Sequence, residues 1–344
     1  MSASARVRPV LTLLWWCLGA LLLWLVLDWA VFKAVFLPDE SACKALAHHG
    51  ACWGVIAEKY RPLLFGRYPY VEQWRAALSL LVLLAGSAGL LWRPWRLSAA
   101  MAACIMLGCG SSVAVLMYGG LAGLEPVPPS QWGGLPLTLV LAWCSLSLSL
   151  PLALMLALGR RAPWRAVRWA AQSFIEVVRG LPLVMLLFMA AFMLPMLLPA
   201  GMELALIWRV GLVLTLFSSA YLAEIIRGGL QTIGPDQYDA AQVLGLSYWQ
   251  TQRLVVLPQA MRAVLPAMVN HAIGLLKDTS LVMVVSLHEL TGALSLSLGG
   301  DPIWRPYYFE AYLFVGAIYA LMCLSLAWSG RRLERHWLAP AGQQ

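Results

Sequence analysis

Charged residues are scarce in this sequence. Only 12% of the 344 residues are Asp, Glu, Lys or Arg, whereas 61% are hydrophobic and the mean hydropathy is +0.75. Soluble domains carry about a quarter charged residues, so this composition excludes a soluble enzyme and a disordered protein. The formal charge of +8 does not indicate a nucleic-acid partner, because the basic residues form short clusters between apolar runs. The composition predicts a polytopic, all-α membrane protein.

The sequence also lacks the motifs of common catalytic sites. None of its four lysines follows a glycine, which excludes a G-x-x-x-x-G-K phosphate loop. His288-Glu289 is followed by Leu290-Thr291, which does not match an H-E-x-x-H zinc site, and no G-x-S-x-G elbow is present. We therefore expect no catalysis by this chain and no cofactor bound to it.

Seven cysteines are too few and too scattered to form a disulfide scaffold. Cys43 and Cys52 flank His48 and His49, and three interpretations of this group are open: a Cys43–Cys52 disulfide, free thiols, and a zinc site. The disulfide is favoured and the metal site is disfavoured, because two adjacent histidines do not share one helix face. The remaining cysteines lie in apolar runs and are interpreted as small packing residues. They are Cys17, Cys104, Cys109, Cys144 and Cys323.

Uncharged apolar runs long enough to cross a bilayer dominate the chain. A helix needs about 20 residues, or at least about 17, to cross ~30 Å of hydrocarbon. This criterion predicts about eight spans. They cover residues 10–29, 76–92, 97–118, 135–158, 181–199, 207–226, 264–287 and 310–329.

The arginines orient these spans. If eight spans alternate, the arginine clusters fall on one side, which the positive-inside rule places in the cytoplasm. The opposite side receives the weakly charged connections 119–134, 200–206 and 290–307, and also the more highly charged segment 37–75. We therefore predict that both termini lie in the cytoplasm. The clusters are Arg6/Arg8, Arg93/Arg96, Arg160/Arg161/Arg165/Arg168, Arg253/Arg262 and Arg331/Arg332/Arg335.

The chain is predicted to divide near residue 130. Residues 1–130 hold three predicted spans, with an external segment at 37–75 and a proline-driven turn at Arg93–Arg96. A loop rich in Gly and Pro, from Gly119 to Gly134, then precedes a second part, residues 131–340, with five predicted spans.

One connection on the arginine-rich side, residues 228–262, is long. It is predicted to hold two short helices, the second over Tyr248–Val256. Asp236 or Ser247 can cap these helices, and Gly245 can end the first helix because glycine tolerates positive φ. Connections of this length usually carry a function, so we interpret the segment as a compact knob outside the membrane.

The same segment carries a recognisable motif. Asp239-Ala240-Ala241, Gly245 and Val255-Val256-Leu257-Pro258 match E-A-A, three residues, Gly, nine residues, then I-x-L-P. Asp replaces Glu and Val replaces Ile, and both changes are conservative. The chain thereby resembles the inner-membrane permease subunits of binding-protein-dependent ABC importers. The resemblance implies that residues 131–340 form a five-helix permease core containing a cytoplasmic coupling loop at 228–262.

Flanking stretches narrow the resemblance to the polar amino acid branch, closest to the general L-amino-acid permeases. Three spans and an external segment ahead of the core also favour this general type over shorter permeases. The matching stretches are Gly133–Leu139, Ile175–Pro182, Tyr221–Gly228, Leu257–Ala260, Leu265-Pro266, Asn270 and Lys277–Leu281.

The resemblance implies a function and a set of partners. The chain would be an amino-acid permease subunit of a bacterial inner membrane, working with a homologous permease subunit and a periplasmic amino-acid-binding protein. A cytoplasmic ATPase dimer would bind ATP and Mg. Asp239–Gly245 and Leu257-Pro258 would form the coupling element that docks on this ATPase, with Ala240 and Ala241 small enough to allow close approach. Such rigid-body coupling would switch the spans between inward-facing and outward-facing states.

Polar side chains inside the spans are further candidates, because burying them is costly without a role. We predict that several residues of the seventh span line the amino-acid path, where a zwitterion needs both a positive and a negative partner. Positions 270, 277 and 281 share one helix face by spacing. An internal ion pair, or a charge that snorkels near the inner interface, is the open alternative. The candidates are Asn270, Lys277, Asp278, Thr279 and Ser280.

Two further charged pairs, Glu224/Arg227 and Glu176/Arg179, are predicted to be structural because their members lie three residues apart on a helix. The alternative function for the whole chain is a stand-alone secondary transporter of small polar solutes. Such a transporter predicts inverted repeats, and the sequence shows no obvious repeat. A membrane-embedded enzyme would need several His, Asp or Glu residues facing one cavity, and the sequence shows no such clustering.

Overall fold

A computed structural model describes residues 3–46, 49–92, 98–121, 123–199 and 201–338. Within these ranges the regular structure is helical, and the β-structure is limited to two isolated bridges, Val35–Cys52 and Gly134–Glu289. The all-α prediction is therefore confirmed. The predicted turn at Arg93–Arg96 and the side chain of His48 lie outside the described residues.

Fifteen α-helices are found in the described residues, with short π and 3-10 turns between some of them. They are α1 (Ala3–Leu27), α2 (Glu40–Ala45), α3 (Gly54–Phe65), α4 (Gln73–Trp92), α5 (Ala99–Tyr118), α6 (Gly134–Gly159), α7 (Arg165–Gly180), α8 (Leu183–Phe188), α9 (Leu194–Leu197), α10 (Leu206–Gln231), α11 (Pro235–Val243), α12 (Tyr248–Thr251), α13 (Leu257–Asp278), α14 (Leu290–Gly299) and α15 (Tyr308–Leu338).

Seven helices of the described chain are long and apolar enough to cross a membrane, and a bent pair brings the number to eight. The pair is Arg165–Gly180 with Leu183–Leu197, and the chain bends by 102° between the two helices. Pro182 explains the bend, because a proline disfavours helical backbone in the residue before it, and Leu181 is extended (φ −100°, ψ 139°). The prediction of about eight spans is confirmed, with 181–199 as one arm of a bent element.

A predicted connection contains a helix, and a predicted span changes its helix type near its end. The loop predicted at 290–307 contains an apolar helix, α14, over Leu290–Gly299. The span predicted at 264–287 is α-helical only to Asp278, after which Thr279–Val285 forms a 3-10 helix. Both differences arise because an apolar run alone does not distinguish an α-helix from a 3-10 helix or a short buried helix.

The chain packs as two compact units. The first comprises Met1–Arg61 and Leu294–Gly316, and the second comprises Pro62–Ala293 and Ala317–Gln344. The functional division predicted near residue 130 stays a prediction.

A disulfide lies in the first unit. Cys43 and Cys52 are bonded with their Cα atoms 5.5 Å apart, and the backbone N–H of Cys52 donates to Glu310 Oε1 at 3.1 Å. Trp29 packs edge-on against both Trp53 and Phe309, at ring-centroid distances of 6.3 and 5.5 Å. The first unit therefore has a core of one disulfide and packed aromatic rings.

An ion pair in the first unit gives a pH-dependent contribution to stability. Lys59 Nζ lies 2.7 Å from Asp301 Oδ2, and this hydrogen bond holds the pKa of Asp301 below its ordinary value of 3.8. Because the folded state favours the carboxylate, the contribution is present above the ordinary pKa and is lost as the pH falls through the lowered one. We expect Asp301→Asn to lower the thermal midpoint at pH 7, and the difference from the wild type to shrink below about pH 4. Thermal unfolding at both pH values tests this, with Asp236→Asn as the exposed control.

The second unit is a bundle in which α6 packs along α10, and α10 packs on α13. One apolar cluster includes Leu137, Leu141 and Leu214, and another includes Ala157 and Ile226. The second cluster also includes Leu230, Val256 and Ala260, and it packs the helix ends on either side of the connection 228–262.

Candidate functional site

The first helix of the connection 228–262 has well-defined ends. Pro235 starts α11 at a position where its missing N–H has no helical partner. At the other end Gly245 adopts φ +74°, its N–H donates to Gln242 O at 2.9 Å, and the N–H of Leu246 donates to Ala241 O at 3.1 Å. This pair of bonds is a Schellman motif, and it confirms that Gly245 ends the helix. Asp236 lies in the first turn and does not cap it, since the N-cap residue is Gly234.

A glycine is required at position 245 because of its positive φ, and not because a side chain would collide with neighbouring residues. A Cβ added there would meet nothing within 4 Å, but L-residues are strained at φ +74°. We expect Gly245→Ala to destabilise the end of α11 by about 1 kcal/mol. Amide hydrogen exchange in residues 235–246 is then expected to accelerate roughly fivefold. Gly274→Ala, in a helical position that is also open, is expected to leave this exchange unchanged.

The second predicted helix is continuous with the one that follows. Ser247 caps α12 in a capping box with Gln250, which confirms the predicted cap. The chain then passes through one π turn, Gln252–Val256, directly into α13. Pro258 has no N–H for the helical ladder, and a π turn next to it accommodates that loss. The prediction of a separate short helix over Tyr248–Val256 was therefore wrong, because these residues begin a longer helical segment that continues into α13.

The residues of the motif divide into an exposed and a buried set. Asp239, Ala240, Gly245 and Pro258 are exposed, and Leu257 is half-buried. Ala241 is only 1% exposed, because it faces its own chain. Ala241 therefore sets how α11 sits on the subunit and does not itself offer a contact surface.

Large apolar side chains surround the motif and are open to solvent. Val243 is 88% exposed and Leu244 is 77% exposed, next to the end of α11. Tyr248, Trp249 and Leu254 are also exposed. We call these five residues the apolar patch. Sequence reasoning missed it because the segment was interpreted through its small residues, although the large side chains were visible in the same stretch.

Two polar contacts fix α11 to the bundle. Arg161, just after α6, donates to Tyr238 Oη at 3.0 Å, and its guanidinium lies over the same ring at 6.0 Å. Gln259 Nε2 on α13 donates to Gln237 Oε1 at 3.0 Å. The short helix is thus connected by side-chain hydrogen bonds both to the end of α6 and to α13.

Glu224 stands among three arginines at the same end of the bundle. It pairs with Arg227, as predicted, and lies 2.7 Å from an Arg160 nitrogen and 3.8 Å from an Arg179 nitrogen. The predicted pair Glu176/Arg179 is wrong, because Glu176 lies instead 3.9 Å from Arg160. Glu224 therefore joins α6, α7 and α10, which is a longer-range role than a local i,i+3 pair.

The candidate path residues are not on one face. Asn270 and Lys277 are exposed on α13, Asp278 and Ser280 are half-buried, and Thr279 is buried with its hydroxyl donating to Leu276 O at 2.7 Å. Position 281 packs into the apolar core, so the predicted shared face of 270, 277 and 281 was wrong. The α-helix ends at Asp278, and the tighter 3-10 geometry changes the direction of every later side chain.

A buried carboxylate was missed by sequence reasoning. Glu289 is fully buried, and its Oε1 accepts the N–H groups of Thr291 and Gly292 at 2.9 and 3.0 Å. Its Oε2 accepts the hydroxyls of Tyr319 at 2.7 Å and Thr138 at 3.2 Å. Glu289 thus connects the start of α14 with α6 and α15. The available signal was a single acidic residue just before an apolar run, which marks a helix start.

No metal site is found among the residues that the structure describes. No group of three or more His, Cys, Asp and Glu side chains is close enough to hold an ion within these ranges. Cys43 and Cys52 are engaged with each other, and His49 lies on the surface.

Comparison with known proteins places this arrangement among transport proteins. The sequence profile of the family "Binding-protein-dependent transport system inner membrane component" matches residues 149–338. The chain is 40% identical to the inner membrane amino-acid ABC transporter permease protein YhdY of Escherichia coli K12, over 91% of this chain and 84% of that protein. It is 35% identical to the glutamate/glutamine/aspartate/asparagine transport system permease protein BztC of Rhodobacter capsulatus, over 83% and 79% of the two chains.

A solved structure is similar as well. The crystal structure of an amino acid ABC transporter with histidines is 32% identical to this chain, with a TM-score of 0.53. The match covers 59% of this chain and 92% of the other.

Proposed function

Because the chain belongs to the family of binding-protein-dependent transport system inner membrane components, we propose that it is the permease subunit of an ATP-driven amino-acid importer. The amino-acid class rests on the two relatives described above, whose names specify amino-acid transport. The coupling to ATP rests on α11 and its surroundings.

The apolar patch is the observation that carries this proposal. Val243 and Leu244 are large, apolar and open, in a connection between two membrane-crossing helices. Exposed apolar clusters of this kind mark protein–protein contacts. A cytoplasmic ATPase subunit is the partner that fits this position, because the motif of Asp239, Ala240 and Gly245 lies in the same element.

The polar contacts of α11 supply a path for coupling. A displacement of α11 by the bound ATPase would be transmitted to α6 through the Arg161–Tyr238 hydrogen bond and to α13 through the Gln259–Gln237 hydrogen bond. Glu224 forms ion pairs that connect α6, α7 and α10, so these helices are linked to one another at the end of the bundle that contacts α11. Closure of the ATPase dimer around ATP and Mg would thereby switch the spans between inward-facing and outward-facing states.

The exposed polar residues of α13 are the proposed contacts to the transported amino acid. Asn270 and Lys277 are exposed on a membrane-crossing helix of this single chain, where a second permease subunit would cover them. Lys277 offers a cation to a carboxylate, and Asp278 offers an anion to an ammonium group. Thr279 and Ser280, whose hydroxyls donate to Leu276 O and Lys277 O at the same helix end, are further proposed residues of the path.

We further propose that the partners are a homologous permease subunit, a periplasmic amino-acid-binding protein and an ATPase dimer. The chain would lie in a bacterial inner membrane with both termini in the cytoplasm, because the arginine clusters then face the cytoplasm.

Purification of the full-length chain from its own membranes tests this function. We expect an ATPase and a second permease to copurify. In proteoliposomes, amino-acid uptake is expected to require ATP and Mg on the side of the arginine clusters and to persist with an ionophore present. Uptake by the chain alone, driven by a proton or sodium gradient, would instead establish the secondary-transporter alternative.

A further inference from the structure

We propose that the end of α15 binds an anionic phospholipid, with its phosphate held by arginines and an acyl chain along a leucine stripe. The phosphate position is a small cavity of about 230 Å³ lined by Trp328, Arg331, Arg332 and Arg335.

Helical spacing places the four lining residues together. They occupy positions i, i+3, i+4 and i+7 and so share one face of the helix. Gly330 and Leu333 lie on the opposite side, where both are buried. A Cβ at Gly330 would come within 2.5 Å of Val269 on α13, so α15 packs closely there. The arginine face is therefore turned away from α13.

The charge of this cavity is of one sign. Its lining includes three guanidinium groups and no carboxylate. Arg332 lies over the Trp328 ring at 5.7 Å. Arg331 and Arg335 are exposed, and neither has a carboxylate within 4.0 Å among the side chains that the structure describes. Glu334 follows Arg331 by three residues, about 60° away around the helix axis, and is not among the lining residues. Clustered guanidinium groups favour a phosphate, which they can bind in bidentate fashion.

An apolar stripe leads up to the arginines. Leu321, Leu324 and Trp328 are all exposed, and their spacing of three and four residues puts them on the same face as Arg331 and Arg335. From Leu321 to Arg335 the helix rises by about 21 Å, at 1.5 Å per residue. Tryptophan prefers the boundary between hydrocarbon and headgroups, and Trp328 lies between the leucines and the arginines. A phospholipid matches this order, because its acyl chain can contact the leucines while its phosphate binds the arginines. Free phosphate has no apolar part that could contact the leucines.

Lipid titration of the full-length subunit, in the complex in which it purifies, tests this proposal. After delipidation, native mass spectrometry counts bound dioleoylphosphatidylglycerol and dioleoylphosphatidylcholine. We expect Arg331→Gln/Arg335→Gln to weaken phosphatidylglycerol binding about 25-fold, or about fivefold per arginine, and to leave phosphatidylcholine binding unchanged. Arg331→Lys/Arg335→Lys keeps the charge and is expected to bind nearly as well as the wild type.

Two further variants separate the possible sources of binding. Arg253→Gln/Arg262→Gln removes two exposed arginines elsewhere and is expected to have no effect on phosphatidylglycerol binding. The Leu321→Ser/Leu324→Ser variant is expected to bind phosphatidylglycerol severalfold more weakly than the wild type. Equal binding by the Arg331/Arg335 variant and the wild type would overturn the proposal, and so would an equal loss in the Arg253/Arg262 variant. An unaffected leucine variant would indicate a simple anion pocket. Binding only after removal of a partner subunit would indicate a protein interface, and either result overturns the lipid assignment.

Discussion

Replacing Val243 and Leu244 together with aspartate is expected to abolish ATP-driven uptake while the subunit itself stays folded. Both side chains are exposed in the single chain, so charged substitutes cost its fold little. In a complex the same positions would be buried, where each apolar side chain contributes about 1.5 kcal/mol or more. A loss of about 3 kcal/mol weakens ATPase binding at least ~100-fold. Copurification of the ATPase and uptake in proteoliposomes measure this effect.

A matched control separates docking from a general effect of new charge. Leu121 is also an exposed leucine outside the membrane-crossing helices, in the connection 119–134. Leu121→Asp is expected to preserve both copurification and uptake. Full uptake by the Val243→Asp/Leu244→Asp variant would contradict the role of the apolar patch. Bulky substitutions at Ala241 are a less direct test, because Ala241 is buried in its own chain and its replacement disturbs the loop itself.

Replacing Glu289 with alanine is expected to cause the largest loss of stability from a single side chain. The carboxylate accepts four hydrogen bonds, and its removal leaves the N–H groups of Thr291 and Gly292 and the Tyr319 hydroxyl without an acceptor in the interior. The loss is expected to be about 4 kcal/mol, because each buried donor left without an acceptor costs about 1–3 kcal/mol. Glu289→Gln keeps one acceptor oxygen but directs an amide donor at other donors, so we expect a loss of about 2 kcal/mol.

Thermal unfolding in one detergent compares these variants. Glu125 is the control, because its side chain is exposed in the loop 119–134, and Glu125→Ala and Glu125→Gln are expected to unfold like the wild type. A wild-type midpoint for Glu289→Ala would mean that the buried carboxylate does not hold α6, α14 and α15 together.

The parts of the structure that depend on local sequence were predictable. Apolar runs located the spans, because burial in lipid requires about 20 consecutive apolar residues regardless of their tertiary neighbours. The helix end at Gly245 and the helix cap at Ser247 were also predictable, because a helix end is determined by a few adjacent residues.

The parts of the structure that depend on contacts between distant residues were not predictable from the sequence. Arg160 lies 64 positions before Glu224, so the sequence suggested only the local pair with Arg227. Glu289 meets Thr138 and Tyr319 only through the packing of three helices, and its local sequence indicates no more than a helix start. The helix face predicted to be shared by positions 270, 277 and 281 was wrong, because the change from α to 3-10 geometry at Thr279 is decided by packing and not by spacing.

Site-specific photo-crosslinking from position 243 tests the central claim most directly. A photoreactive amino acid replaces Val243 in the full-length chain, and the same amino acid replaces Leu121 in a control. The account predicts that illumination of membranes links position 243 to a nucleotide-binding ATPase subunit and links position 121 to no such protein. The absence of an ATPase crosslink from position 243, together with uptake that needs no ATP, would contradict it.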